Sequence, residues 1–455
     1  MSVRTFRPYR FAADNHRFEP ENGVVEVFDW ALAASLCLLL AFGPLAFGAV
    51  QDWAISALEV AAAVCVILWA GRALAYGSLN VHRNALFLPI ILFAGLVCVQ
   101  LLSGRTAYWY VTWSKALLWA AYGMIFFVAT QCLRRTARIK AFILFLAAFG
   151  FMMALFAMVQ QFTWNGKLYW VVPYHYGASA YGPYVNHSHY AGLMEMLAPI
   201  PLVFAMMRCW RKPTRVLFGF VALVMTSTIF LSRSLGGIVA FGAQVVILTI
   251  LVGLQKRSRA QLLLLLLSLG VLLAAWLATL SPHGILERIA LLRDPLGKAG
   301  GGSRLVIVKD GLKMIAARPL LGWGFGTFPL VYPSFRSFYT NYFVNEAHND
   351  YLQTAVETGL VGFAILCGFI ALFYRTSLRN IEGWRTDIRS AVCLASIVGV
   401  TGILVHSLSD FNLQIPANAS LFFALCALAT GSFGNDARRA RSLRAAERPP
   451  RHHHR

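Results

Sequence analysis

Apolar residues along this chain run in stretches of about twenty, the length a helix needs to cross a bilayer. The stretches lie near 30–50, 53–71, 85–102, 111–130, 139–160, 189–207, 216–232, 235–254, 262–281, 349–373, 390–408 and 418–433. The pattern predicts an all-α integral membrane protein with about twelve transmembrane helices. Polar breaks divide it into a leader (1–29), nine helices (30–281), one long loop (282–347) with short helices of its own, three further helices (348–433) and a tail (434–455). The leader has no small-residue cleavage pattern, and a second apolar stretch follows closely. The first stretch therefore reads as a retained helix, not a signal peptide.

Composition agrees and narrows the class. Of 455 residues 58% are apolar and 13% charged, where a soluble domain carries roughly 25% charged residues. A soluble globular enzyme, a disordered chain and a disulfide scaffold are excluded. The charge pattern sets an orientation. With the N-terminus inside, 28 of the 40 Lys and Arg fall on inner segments, and the short outer loops hold only Arg105, Lys115, Lys167 and Arg233. Both termini are then cytoplasmic and the long loop is extracytoplasmic. The net charge of +21 is mostly this asymmetry, and the basic tail suits anionic lipid better than nucleic acid. The eight cysteines sit in spans or at inner ends, so no outer disulfide is expected. No Cys–His metal spacing occurs, and the residues call for neither a metal nor a cofactor.

Polar residues that resist this topology carry the functional signal. Arg233 lies in the tight outer turn Leu231-Ser232-Arg233-Ser234-Leu235-Gly236-Gly237. Charge close to hydrocarbon is costly and usually faces a polar interior. The helix that starts at Gly236 also favours an anion. Snorkelling to headgroups is the lesser alternative for Arg233 and the preferred reading for Arg105 and Lys115. In the long loop Ser303 is placed to cap a helix over 305–317, with Arg304 in its first turn. Pro319 ends that helix, and Leu320–Gly326 is a glycine-rich turn without a Walker lysine. The aromatic strip 328–342 suits a membrane interface. His348 then opens the next helix, where capping competes with catalysis, and Glu357 on that helix reads as a buried acid paired to an arginine. Tyr181–Gly192 opens the sixth helix and offers Tyr184, Asn186 and His189 as candidate substrate contacts, as do Asn349 and Asp410 elsewhere. An aromatic belt explains much of this region, and sugar stacking is the sharper alternative. His187 and His189 are two apart and diverge on a helix, which argues against a two-His metal site.

All these groups fall on the outer side, where no ATP is expected. Arginines grip phosphate bidentately, and a histidine works as a general base near neutral pH. Together they suit glycosyl transfer from a lipid diphosphate, a leaving group good enough to need no metal and no protonating acid.

Three ordered segments carry a resemblance. They are Leu231–Gly237, Ser303-Arg304 leading to Arg318–Phe328, and Ala347-His348-Asn349-Asp350-Tyr351-Leu352 with Glu357–Gly362. In these the chain resembles the O-antigen ligase / O-antigen polymerase family, over roughly 180–425. Asn186–Gly192 and His406–Pro416 look like exopolysaccharide-type members. Val308, where the family often has an aromatic residue, and His187, where Arg is frequent, depart from the pattern.

The resemblance implies a metal-independent, inverting membrane glycosyltransferase in the inner (cytoplasmic) membrane, active on the periplasmic side. It implies an undecaprenyl-diphosphate-linked glycan as donor, Arg233 and Arg304 as diphosphate ligands, His348 as base, and no cofactor. The acceptor is a growing glycan (a polymerase of exopolysaccharide or O-antigen repeat units, the reading preferred here) or lipid A-core or protein (a ligase). Export or chain-length-control machinery is a candidate partner. Twelve helices also suit a flippase of lipid-linked sugars, but no internal repeat is visible and the polar groups gather on one face, not at mid-membrane. A purely structural assembly subunit is the weakest reading.

Overall fold

A computed structural model describes residues 23–77, 81–173, 180–254, 301–339 and 343–431. The chain is helical apart from short connections and one two-stranded hairpin. In order the helices are α1 (Gly23–Leu45), α2 (Asp52–Tyr76), α3 (Phe87–Leu102), α4 (Trp109–Cys132), α5 (Thr136–Phe162), α6 (His187–Leu197), α7 (Pro199–Met206), α8 (Lys212–Leu231), α9 (Leu235–Leu254), α10 (Gly301–Ala317), α11 (Phe328–Val331), α12 (Asp350–Ser377), α13 (Ile388–His406) and α14 (Pro416–Thr430). Strands β1 (Lys167–Leu168) and β2 (Val172–Pro173) pair antiparallel.

Eleven of the twelve expected spans have a helix in place; the stretch 262–281 lies outside the described residues, as do 1–22, 282–300 and 432–455. Among the described residues nine helices are long and apolar enough to cross a membrane, with α6 and α7 counted together. α3 and α14 are shorter, at 16 and 15 residues. This is a multi-pass membrane architecture.

Polar partners explain where some elements depart from the apolar pattern. α1 starts at Gly23, inside the polar leader, because Asp29 is buried between Arg72 (2.5 Å) and Arg138. The sixth span divides at Ala198, where Pro199 starts α7. α12 is not continuous. Gly359 takes φ 67° and ψ −171° and breaks it into two half-helices.

The bundle is wrapped around α13 and the α6–α7 pair, which are buried along most of their length, while the outer helices keep apolar faces exposed. Small residues allow the close approaches: a Cβ on Gly43 would come within 2.9 Å of Ala417, and one on Gly399 within 2.8 Å of the Met196 carbonyl. Alternating helix directions bring the starts of α6, α9, α12 and α14 and the end of α13 to one end of the bundle. Arg72, Arg138, Arg208 and Arg385 lie at the other, where the Arg208 N–H donates to the Arg385 carbonyl.

Candidate active site

The turn that leaves α13, Ser407–Phe411, is the hub of the first end. His406 ends the helix, and the next four residues fold back through i→i+3 and i→i+4 hydrogen bonds. Four other elements reach this turn.

α12 arrives with His348 two residues before its first residue. Asn349 caps the helix by accepting from the Leu352 N–H at 2.9 Å, and its amide donates to the Leu408 carbonyl. The Asp350 N–H donates to the Ser407 carbonyl at 3.0 Å. Pinned on both sides, His348 adopts φ 52°, a left-handed conformation rare for a residue with a Cβ. Its Nδ1 faces Asp410 Oδ1 at 3.5 Å, and its side chain is 32% exposed. Asp410 is buried. His189, from the first turn of α6, approaches the same oxygen at 4.0 Å. The Phe411 ring stands edge-on between the imidazoles, 4.9 Å from His348 and 4.7 Å from His189. Burial alone would raise the Asp410 carboxyl. The reach of His348 and the charges of His189 and His406 outweigh it and hold the carboxyl well below the usual carboxylate range.

The arginines come from the other side of the turn. The Arg304 guanidinium donates to the Ser409 carbonyl at 3.1 Å. Arg233 is exposed in the α8–α9 turn with φ 60°, the same unusual backbone as His348. That turn is tied down just after the arginine. Ser234 Oγ bonds Ser188 Oγ of α6 at 3.1 Å and accepts from the Gly237 N–H. Gly236 lies so close to the hub that a Cβ there would sit 2.5 Å from His406 Nε2 and 3.0 Å from Ser409 Oγ. Beneath the hub His406 Nδ1 meets the fully buried Glu195 Oε1 at 2.9 Å.

Arg304, His348, His189, Asp410 and the Arg233 turn thus meet around one five-residue turn. The remaining candidates hold the scaffold. Asn186 caps α6 by accepting from the Ser188 N–H at 2.8 Å, and Tyr184 is buried with its hydroxyl on Asn418. His189 is buried beneath the site, not set on its surface. The described part of the aromatic strip, 328–339, folds back onto α10, where Asp310 accepts from the Ser337 N–H (2.9 Å) and hydroxyl (3.0 Å) and from Tyr332.

Glu357 differs from expectation. Among the described residues its carboxylate takes no arginine; it accepts from the Gly326 N–H at 2.8 Å, the Phe328 N–H at 3.3 Å and Gln353. The reason is the break at Gly359, into which the glycine-rich turn docks. The Trp323 and Gly324 N–H groups donate to the Val356 and Glu357 carbonyls, and the Leu360 N–H donates to the Pro319 carbonyl at 2.7 Å. Gln100 of α3 closes the junction from behind, donating to the Leu321 and Glu357 carbonyls and accepting from the Phe325 N–H.

Residues 220–367 match the O-antigen ligase family. The chain carries an O-antigen ligase-family domain. No curated protein matches the chain. The family domain includes Arg233, Arg304, the docked turn and His348, while His189 and Asp410 come from outside it. The matched domain supports a glycosyltransferase-type enzyme, and the apolar helices a multi-pass membrane protein.

Sequence reasoning passed over two groups the domain depends on. Glu195 is a lone acid in an apolar run, which was a usable signal. Phe411 carries no such mark, because an aromatic residue near an interface is ordinary.

Proposed function

We propose that this protein transfers a glycan from an undecaprenyl-diphosphate carrier to a sugar hydroxyl on the extracytoplasmic face, and that it polymerises exopolysaccharide or O-antigen repeat units. The observation that carries the reading is the meeting of a part-exposed imidazole, a buried carboxylate and an arginine on the Ser407–Phe411 turn. The basic residues gathered at the opposite end support a cytoplasmic face there, and with it the reading of an extracytoplasmic site in an inner (cytoplasmic) membrane.

The chemistry follows from placement. His348 Nδ1 faces Asp410, so Nε2 is the atom left to accept the acceptor hydroxyl's proton. The 3.5 Å separation is loose, as catalytic contacts commonly are before substrate binds. The acceptor oxygen attacks the anomeric carbon as the bond to the diphosphate breaks. The pair of electrons leaves with the diphosphate, and the configuration inverts. Arg233 and Arg304 bind that diphosphate and stabilise its growing charge. The helix starts of α6, α9, α10 and α12 add partial positive charge at the same end. Asp410 fixes the His348 ring and balances the imidazolium that forms. No step calls for a metal.

Purified full-length protein given a defined lipid-linked repeat unit should make longer lipid-linked glycans. Arg233→Ala and Arg304→Ala should each raise the donor KM and cut kcat/KM by about tenfold to a hundredfold, the loss of one charge-assisted contact or two. Full-length polymer from both variants would refute the site. The matched family's description favours a second reading, an O-antigen ligase. In cells its loss strands long glycan on the lipid carrier, whereas loss of a polymerase leaves single units at the normal destination.

A further inference from the structure

Polar side chains line the seam where α6, α9 and α13 meet. Gln244 of α9 donates to the Glu195 carbonyl of α6 at 2.6 Å and to the Val398 carbonyl of α13 at 3.2 Å. On the hub side of these bonds Glu195 and His406 share their 2.9 Å hydrogen bond, with side chains 0% and 1% exposed. Glu195 Oε2 and His406 Nε2 make no hydrogen bond among the described residues. A buried pair of this kind is costly, and apolar residues of similar size usually hold a fold as well. An ionisable pair kept between apolar helices therefore points to function. In the proposed transfer neither group meets the substrate.

What the pair touches is the footing of both arginines. A Cβ on Gly236 would lie 2.5 Å from His406 Nε2 and 3.0 Å from Ser409 Oγ. A Cβ on Gly237 would lie 2.9 Å from the Ala191 Cβ and 3.1 Å from Glu195 Oε1. Gly236 follows Arg233 by three residues. The Ser409 N–H donates to the His406 carbonyl at 2.9 Å, and the Ser409 carbonyl holds the Arg304 guanidinium at 3.1 Å. The Arg233 turn and the Arg304 anchor thus bear on one imidazole, whose ring Glu195 holds. Gln244 and the Ser234–Ser188 bond fix where α9 lies along α6. The two glycines let its first turn rest on the pair with no side chain between.

We infer that the Glu195–His406 pair is a positioning unit that sets the spacing of Arg233 and Arg304, and so the grip on the donor diphosphate. This rests on the proposed transferase function. Two guanidinium groups hold one diphosphate well only at a fixed separation, and a displacement of about 1 Å can cost a factor of about a hundred. The hydrogen bond supplies what an apolar pair lacks, a single ring orientation.

The test uses full-length protein in nanodiscs. It measures binding of a donor lipid whose diphosphate–sugar linkage is a phosphonate, so that no transfer occurs. Glu195→Met with His406→Leu replaces the pair by apolar side chains and should leave the thermal midpoint in place. Donor binding should weaken about tenfold, the loss of one charge-assisted contact. In an Arg304→Ala background no spacing remains to set, and the same replacement should cost about twofold or less. Glu195→Gln keeps an acceptor for Nδ1 and should bind donor within about twofold of wild type. Gly236→Ala presses the turn off an intact pair and should also weaken donor binding about tenfold. An equal loss in both backgrounds, or a Gln variant as weak as the apolar pair, would overturn the assignment. Wild-type binding by Gly236→Ala would overturn it whatever the yield of the apolar pair. In each of those cases weakened binding by Arg233→Ala and Arg304→Ala would leave the transferase reading standing. Unchanged binding by those two arginine variants would remove that reading, and this inference with it.

Discussion

Two polar regions interrupt the apolar bundle at the same end, and they are finished differently. At the docked turn the carboxylate oxygens of Glu357, the amide of Gln100 and the backbone of Leu320–Gly326 pair with one another. At the hub, both ring nitrogens of His189 and Nδ1 of His348 make no hydrogen bond, and two side chains sit on left-handed backbone. A buried polar group without a partner costs free energy. A fold keeps such groups where a substrate completes them or a charge must move. The paired region reads as architecture and the unpaired one as chemistry. Both contain an acid, a histidine or amide, and glycines, so composition does not separate them.

The widest gap between the regions should appear in activity at constant stability. His348→Ala should lower transfer by about 10²–10⁴-fold, the range for loss of a general base. It should leave the thermal midpoint of the purified protein unchanged, because the side chain is part-exposed and relieves strain when shortened only slightly. Measured turnover beside a melting curve checks both halves. A large fall in stability would place His348 in the scaffold instead.

The docked turn should show the reverse. Gly359→Ala forces a Cβ onto left-handed backbone, at roughly 1–2 kcal/mol. The Cβ would also collide with the Leu320 carbonyl. Folded yield should fall sharply. Glu357→Ala strands the Gly326 and Phe328 N–H groups, at about 1–3 kcal/mol each. Activity per folded molecule should survive in both. Active-site titration of whatever protein folds separates yield from rate, and a normal yield with no turnover would reverse the assignment.

Much of this end was legible in the sequence because its signals are local. Arg233 and His348 stand out as polar residues at helix starts where the apolar pattern leaves no reason for them. Apolar periodicity placed the described helices within a few residues, except that α1 starts well before its apolar stretch. What could not be read is long-range. The break at Gly359 depends on carbonyls and amides offered by residues some forty positions earlier, and a glycine inside an apolar helix is common enough to give no warning. The side-chain partner of Glu357 was misjudged for that reason: backbone amides of a docked loop bear no sequence mark. Asn186 and Asn349 looked like substrate contacts because caps and sugar ligands share the same side chain.

The smallest predicted effect is also the one that probes how the hub works. Asp410→Asn keeps the shape of the side chain and removes its charge. The carboxylate is held ionised against burial by three histidines, so it supplies the counter-charge for the imidazolium formed when His348 takes a proton. Without it turnover should fall about tenfold, since one charge-assisted interaction is worth a factor of that order. KM for the donor should stay near the wild-type value, because Asp410 is buried behind the His348 ring. A purely structural aspartate would change yield and leave turnover per folded molecule in place. Stability gives a second check with a fixed sign. A carboxyl whose folded-state affinity for protons is depressed stabilises the protein above its unfolded pKa of about 3.9, and that contribution drains away as pH falls further. Wild-type protein should therefore lose stability faster than Asp410→Asn below about pH 4, with the two converging in acid. Parallel acid-melting curves for the two proteins would show that the histidines around Asp410 are not coupled to its charge.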